Sequence, residues 1–389
     1  MVGYNIMTPG PTNVHESVLA EIAKNHTNPD LDLDFLKLYI ETAGAMNQLV
    51  GNYADTVGNE GKTYILCGEG ILGLEAACAS FIEKGDRVLT IANGIFGKGF
   101  GDFSAMYGAE VVYYESEPTK GIDPVALRAF IEENGPFKLA TVVHCETPSG
   151  LTNPVREIGP LLREFNILSI VDSVSAIGGE PMEMSQWQLD VVLCGSQKVI
   201  SAPPGLTTVS LSPLALKMLD ERKTPVAGFY ANLQIWKGYE EKQWFPYTQP
   251  IHLIAGFKLA LSRIVKKASL ERHRSLSKAV RNTLLQSGFK LFAENSYANT
   301  VTTVYLPDGL DFKVLFDCLK NDHKVLIGGG FDFLENKVFR IGHMGENCTV
   351  ERLSSLFLAM DSAFVSLGYP LTTSLQNSFE THFNRINFR

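Results

Sequence analysis

No run in the 389 residues is apolar for the roughly 20 positions that a helical bilayer crossing takes, so a membrane protein is not expected. The opening, Met1-Val2-Gly3-Tyr4-Asn5, lacks the basic-then-apolar pattern of an export signal, and the expected location is cytoplasmic. Cys-x-x-Cys spacing is missing among the six cysteines. Cys67, Cys78, Cys145, Cys194, Cys318 and Cys348 fall mostly inside apolar runs, which points to buried free thiols rather than disulfides or a thiolate metal site. The eight histidines form no His-x-x-x-His or comparable set, so no metal is expected. Excess basic charge is lacking too: 34 Lys and Arg stand against 42 Asp and Glu, a net charge of −8. The basic clusters at 263–267 and 272–281 fit the exposed face of a helix better than a phosphate-binding patch, so nucleic acid is not an expected partner.

What the chain does have is an ordinary globular composition, 45% hydrophobic and 20% charged, and enough length for two domains with cores of their own. Apolar periodicity predicts strands at 63–66, 87–91, 110–114, 139–144, 168–171 and 191–194. Helices are predicted at 71–83, 96–107, 124–134 and 155–165, between those strands. Such alternation implies an α/β fold, a mostly parallel sheet with helices on both faces. Beyond about residue 250 the pattern changes to a long helical stretch over 254–287, a strand at 300–305, a helix at 312–321, a strand at 338–341 and a last helix at 350–367. The expected organisation is an N-terminal arm (1–14), a large domain (15–267), a small C-terminal α+β domain (268–369) and a polar, loosely held tail (370–389).

Ligands of open α/β sheets bind at the carboxyl ends of the strands, and three such ends carry chemistry. The run Asp190-Val191-Val192-Leu193-Cys194 delivers Gly195-Ser196-Gln197-Lys198, and the following Ala202-Pro203-Pro204-Gly205 stiffens the backbone around the lysine. A lysine after a strand is ordinarily a solvated loop residue; at a pocket mouth its amine can form a Schiff base with an aldehyde. Asp172 ends Ser169-Ile170-Val171, where a carboxylate either caps the next segment or holds a ring nitrogen protonated. Gly68-Glu69-Gly70-Ile71 turns from strand into helix, and free N–H groups at a helix start attract an anion. Amine, carboxylate and anion cup together are what pyridoxal phosphate needs.

Several segments in order, Asn93-Gly94-Ile95-Phe96-Gly97, His144-Cys145-Glu146-Thr147-Pro148-Ser149-Gly150, Val171-Asp172-Ser173-Val174, Gly195-Ser196-Gln197-Lys198 and Arg340-Ile341-Gly342, resemble the class V aminotransferases of the alanine-glyoxylate and serine-pyruvate group. The resemblance implies a fold-type I pyridoxal phosphate enzyme that moves an amino group between a small amino acid and a 2-oxo acid. It implies that Lys198 forms the Schiff base and shuttles the proton, that Asp172 pairs with the pyridinium, and that Phe96 and Val174 pack on the ring. Thr147 would contact the ring's hydroxyl or the substrate, and Glu69, Gly70, Ile71, Gln197, Phe245 and Thr248 fall at phosphate contacts. Thr248 would come from a neighbouring subunit, which implies a homodimer with shared sites. Arg340 would receive the substrate carboxylate, a job suited to its planar fork, with Gly10 and Pro11 lining the same pocket.

Glu69 departs from the family's usual residues at the phosphate cup. Like unit charges about 4 Å apart repel by roughly 4 kcal/mol at an effective dielectric near 20, well above the roughly 0.3 to 1 kcal/mol that a carboxylate gains at a helix N-terminus. Either Glu69 turns away from a bound phosphate, the favoured expectation, or the ligand has none. Gly-Glu before Leu72-Gly73-Leu74-Glu75 and Arg340-Ile341-Gly342-His343-Met344-Gly345 are similar to the pyridoxamine-pyruvate branch of the family, which takes unphosphorylated pyridoxamine and pyridoxal as substrates. Phe331 stands where that branch has a second arginine, and Phe245 replaces a frequent phosphate-binding tyrosine. A desulfurase-type lyase relying on Cys348 and a vitamin B6 binding protein without turnover are the remaining readings.

Overall fold

The computed structural model describes residues 3–53 and 60–387, so the extreme ends of the expected arm and tail lie outside it. The first half runs β1 (Asn5–Met7), α1 (Glu16–Ile22), α2 (Leu33–Val50), β2 (Lys62–Cys67), α3 (Gly70–Phe81), β3 (Arg87–Ala92), α4 (Ile95–Met106), β4 (Glu110–Glu115), α5 (Pro124–Asn134), β5 (Leu139–Val143), and the short pair β6 (Cys145–Glu146) and β7 (Leu151–Thr152). It continues with α6 (Val155–Glu164), β8 (Leu168–Asp172), β9 (Val191–Gly195), β10 (Leu206–Leu211), α7 (Pro213–Asp220), α8 (Tyr239–Lys242), α9 (Ile251–Ser262) and α10 (Lys266–Gln286). The remainder is β11 (Val301–Tyr305), α11 (Phe312–His323), β12 (Val325–Gly329), β13 (Val338–Gly342), α12 (Val350–Ser366) and α13 (Leu375–Asn387).

Seven strands form the large sheet in the order β2-β10-β9-β8-β5-β3-β4, parallel except for β10. Strands β5, β8 and β9 are buried along their whole length, which is why they read as unbroken apolar runs. Two of the chain's helices begin at residues that cap them: the Asp123 side chain accepts from Val125 N ahead of Pro124 in α5, and Ser212 accepts from Ala215 N ahead of Pro213 in α7. This confirms the mostly parallel α/β sheet. Strand β10 was not expected. It returns from β9 through the loop 196–205 with no helix between, and a strand returning that way must run antiparallel. Tyr39 covers the edge strand β2: its hydroxyl accepts from Ile65 N at 2.7 Å and donates to Ile65 O at 2.9 Å.

The second sheet has the order β1-β12-β13-β11. Strand β1 pairs parallel with β12, Asn5 opposite Val325 and Met7 opposite Ile327, so the chain's opening belongs to the sheet furthest from it in sequence. A separate apolar cluster of Leu276, Phe339, Leu356, Phe357 and Phe364 backs this sheet.

Three expectations need correcting. The stretch 254–287 is two helices, α9 and α10, divided at Arg263-Ile264-Val265 without proline or glycine. Tertiary contacts set the break: Lys266 Nζ donates to Met182 O at 2.9 Å and to Glu183 Oε1 at 2.6 Å, and Ser269 Oγ donates to Gly178 O at 2.6 Å. Arg281 also turns inward, donating to Ala298 O at 2.9 Å, rather than lying on an exposed face. The tail is helix α13, not a loose end. Asp361 accepts from Leu375 N and Gln376 N at its start, and Leu375 and Phe379 are fully buried. Phe379 lies 5.3 Å, ring to ring, from Phe357 of α12. Phe379→Ala should therefore cost about 3–5 kcal/mol, read as a lowered denaturant midpoint. Among the described residues, no helix is long and apolar enough to cross a membrane.

Candidate active site

The carboxyl ends of β2, β3, β5, β8 and β9 meet at one edge of the large sheet, around a cavity of about 270 Å³. Gly10, Pro11, Thr147, Asp172, Val174 and Lys198 line it. Glu69, Gly70, Ile71, Phe96 and Gln197, also brought forward by the sequence, line it too.

Lys198 is placed by its loop. Ser196 Oγ donates to Pro203 O at 2.7 Å, Ser201 N to Lys198 O at 3.0 Å, and Ala202 N to Ser196 O at 3.0 Å, closing a tight turn whose Ser201 sits at φ 58°. The Nζ donates to Pro9 O at 2.6 Å. The arm lies so close that a Cβ on Gly10 would fall 2.5 Å from the lysine Cδ and 2.9 Å from Nζ, and Gly10 itself has φ 93°. Only glycine fits there. Burial, aided by the positive charge of Arg340, pushes the amine down to about 8, against the pull of Asp172. Attack on an aldehyde needs the neutral amine, so the capture rate should fall about tenfold per pH unit below 8 and level off above it, a profile that stopped-flow absorbance with pyridoxal measures.

Asp172 ends β8 with Oδ1 accepting from Val174 N at 2.9 Å, and burial pushes its carboxyl up to about 6. A cation placed against it would reverse that shift. Gly70 and Gly195 leave room beside Val174, since a Cβ on either would fall 3.1 or 3.0 Å from its methyls. Phe96 stands in the first turn of α4, where Glu146 accepts from Phe96 N and Gly97 N, each at 3.0 Å; burial raises Glu146 to about 7. Thr147 Oγ1 donates to Ser175 Oγ at 2.8 Å. A flat aromatic ring with an aldehyde and a basic nitrogen fits this cradle.

At the start of α3 an anion is already in place. Glu69 caps its own helix: Oε1 accepts from Ile71 N at 3.1 Å and Oε2 from the Gln197 amide at 3.1 Å. The side-chain carboxylate takes two of the donors that the sequence offered to a phosphate, Ile71 N and the Gln197 amide. Gln197 Oε1 is buried with no partner.

Arg340, in β13 beside the cavity, donates from Nε to Gly329 O at 2.8 Å, and its Cζ lies 5.3 Å from the Phe331 ring centroid. Burial lowers it to about 10, and no carboxylate of the described residues is within ion-pair reach. A half-buried guanidinium without an anion is suited to receive one. Arg340→Ala should raise the KM for the acid about 10- to 100-fold with a smaller change in kcat, as steady-state kinetics will show.

Three expected residues do not line this cavity: Arg340, which stands outside its lining, Phe245 and Thr248. Phe245 packs into an aromatic cluster, 4.9 Å from Tyr39 and 5.7 Å from Tyr239, because α2 and α8 offer it an apolar slot. Thr248 is exposed and donates to Asp30 Oδ2 at 2.8 Å. Sequence reasoning missed Ser175, the Pro9 carbonyl, the Glu146 cap and Thr12, whose N and Oγ1 hold the lysine loop through Gln197 O and Lys198 O at 3.0 Å each. Glu146 lay inside a motif already singled out; a carboxylate before a distant helix start has no local signature. Cys348 is fully buried and burial pushes its thiol up to about 12, which removes the desulfurase reading.

Compared with known proteins, the chain matches the family described as Aminotransferase class-V over residues 8–330. It belongs to the class V aminotransferases. Among relatives of this family, the alanine-glyoxylate aminotransferase of Drosophila melanogaster is 30% identical, covering 95% of this chain and 94% of its own length. The pyridoxamine-pyruvate transaminase of Mesorhizobium japonicum is 31% identical over 92% of this chain and 91% of its own. The crystal structure of a ureidoglycine-glyoxylate aminotransferase from Bacillus subtilis superposes with a TM-score of 0.93 at 25% identity, covering 99% of each chain. Fold-type I architecture and aminotransferase chemistry follow for this class V member, and the family and fold imply pyridoxal phosphate.

Proposed function

We propose that this class V aminotransferase converts pyridoxamine and a small 2-oxo acid, of the pyruvate or glyoxylate type, into pyridoxal and the corresponding amino acid. The observation that carries this reading is Glu69, whose carboxylate holds the α3 N-terminus and the Gln197 amide where a phosphate would otherwise sit. A second anion there would face a like charge and find Ile71 N and the Gln197 amide already engaged. When bound, the B6 ring supplies an aldehyde or amine carbon and an electron-withdrawing ring. Lys198 bonds the carbonyl and, once released, carries a proton between the acid's α-carbon and the ring's C4′ carbon. Asp172 keeps the ring nitrogen protonated, Phe96 and Val174 hold the ring, Thr147 contacts its hydroxyl or the substrate, and Arg340 orients the carboxylate with Gly10 and Pro11 alongside.

A second reading keeps pyridoxal phosphate as resident cofactor, with alanine or serine as donor. It is favoured by the exposure of Glu69, which leaves the side chain room to swing outward. The assembly in both readings is a homodimer in which Thr248 of a second copy approaches the cup; the exposed rings of Phe229, Tyr230 and Trp244 offer apolar surface for such pairing. Separate titration of pyridoxal and pyridoxal phosphate into ligand-free protein decides between the readings. Tighter uptake of pyridoxal, with pyridoxal formed from pyridoxamine and pyruvate, is expected; tighter uptake of the phosphate ester would overturn the first reading. An absorbance band that no amine or oxo acid alters would leave only a binding protein.

A further inference from the structure

Strand β12 ends in Gly328-Gly329, and Gly330 and Phe331 follow as the chain turns toward β13. Each glycine is pressed against something. A Cβ on Gly328 would fall 2.8 Å from Pro9 Cδ, on Gly329 2.5 Å from the Phe312 ring, and on Gly330 2.1 Å from Leu334 O. Leu334, just beyond, is almost fully buried against Phe292 and Val338. The turn is therefore held on both sides of Phe331, whose ring stays partly exposed. The ring lies under the Arg340 guanidinium, 5.3 Å from Cζ, and meets the Phe96 ring edge-on at 6.2 Å. Phe96, which lines the cavity, Phe331 and Arg340 thus make a row that leads away from it.

We propose that Phe331 is the specificity-determining residue for the acid: its ring closes the space beside Arg340, so that the site takes 2-oxo monocarboxylates with small side chains and turns away dicarboxylates. The inference rests on the reading of Arg340 as the carboxylate anchor. With one carboxylate on Arg340, the second carboxylate of a diacid would meet the faces of Phe331 and Phe96. An anion loses hydration there and gains no partner. Neither charge nearby helps. Lys198 is the one cation among the lining residues, and it is engaged with Pro9 O; Lys98, on the far side of α4, lies 3.3 Å from Glu115. Glu69 and Asp172 add negative charge to the same cavity.

Propanoate and butanedioate, neither of which can react, test this by calorimetry on the purified full-length protein, alongside kcat/KM for pyruvate and 2-oxoglutarate with pyridoxamine as donor. The wild-type protein should bind propanoate at least about tenfold more tightly than butanedioate. Phe331→Arg should shift that ratio by about tenfold or more toward the diacid, while Phe331→Leu, which keeps an apolar wall, should hold it within about threefold. Equal binding of the two acids by the wild-type protein, or an unchanged ratio in Phe331→Arg, would overturn the proposal. If the arginine variant does not fold, Phe331→Lys gives the same readout and the wild-type ratio still decides. A protein that separates the two acids but takes up no pyridoxal would uphold this inference and overturn only the vitamer reading.

Discussion

Lys198→Ala is expected to lower turnover by about 10³-fold or more, because in the proposed function one side chain supplies both the bond to the carbonyl and the proton shuttle. The loop that carries it is held by Ser196, Ser201 and Thr12 rather than by the ammonium, so the variant should fold and its circular dichroism should match the parent. Binding of the B6 ring through Asp172 and Phe96 should survive in weakened form, without the absorbance band that a lysine-bound aldehyde gives. Rapid-mixing absorbance of the variant with pyridoxal reports both points at once. Near-parental rates would remove Lys198 from the chemistry altogether.

Glu69→Ala should raise the affinity for pyridoxal phosphate about 10²-fold while changing that for pyridoxal only a few-fold. Two unit charges about 4 Å apart repel by roughly 1 kcal/mol in water and roughly 4 kcal/mol at an effective dielectric near 20, and a phosphate ester carries close to two charges. Glu69 faces solvent on one side and the cavity on the other, which places the expected effect between those limits. Removing it also frees Ile71 N and the Gln197 amide for phosphate oxygens. Fluorescence titration with each vitamer measures the change. An unaltered preference would show that Glu69 is only a helix cap.

The sequence made the parallel sheet legible because buried strands write themselves as apolar runs and the helices between them keep an apolar period of their own. It made the site legible for a related reason: Lys198, Asp172 and Glu69 each stand directly after such a run, where topology alone brings strand ends together. Features set by distant contacts were not readable. The break between α9 and α10 depends on partners about 83 to 91 residues away, at Met182, Glu183 and Gly178. Helix α13 was readable in principle, since Leu375, Phe379, Phe383 and Ile386 recur at helical spacing, but the polar residues between them masked the stripe. Strand β10 escaped because its Thr-Thr-Val-Ser centre alternates too weakly to announce a strand buried on both sides.

The placement of β1 has a mechanical consequence. The same few residues hydrogen-bond along β12 and, past Thr8, roof the amine of the opposite sheet, with Thr12 and Asn13 pinned to Gln197 and Asn347 beyond. That backbone acts as a tether with two anchored ends and the Lys198 nitrogen beneath its midpoint. Peeling either end loose exposes the nitrogen to bulk solvent, so the integrity of the remote sheet and the shielding of the amine rise and fall as one.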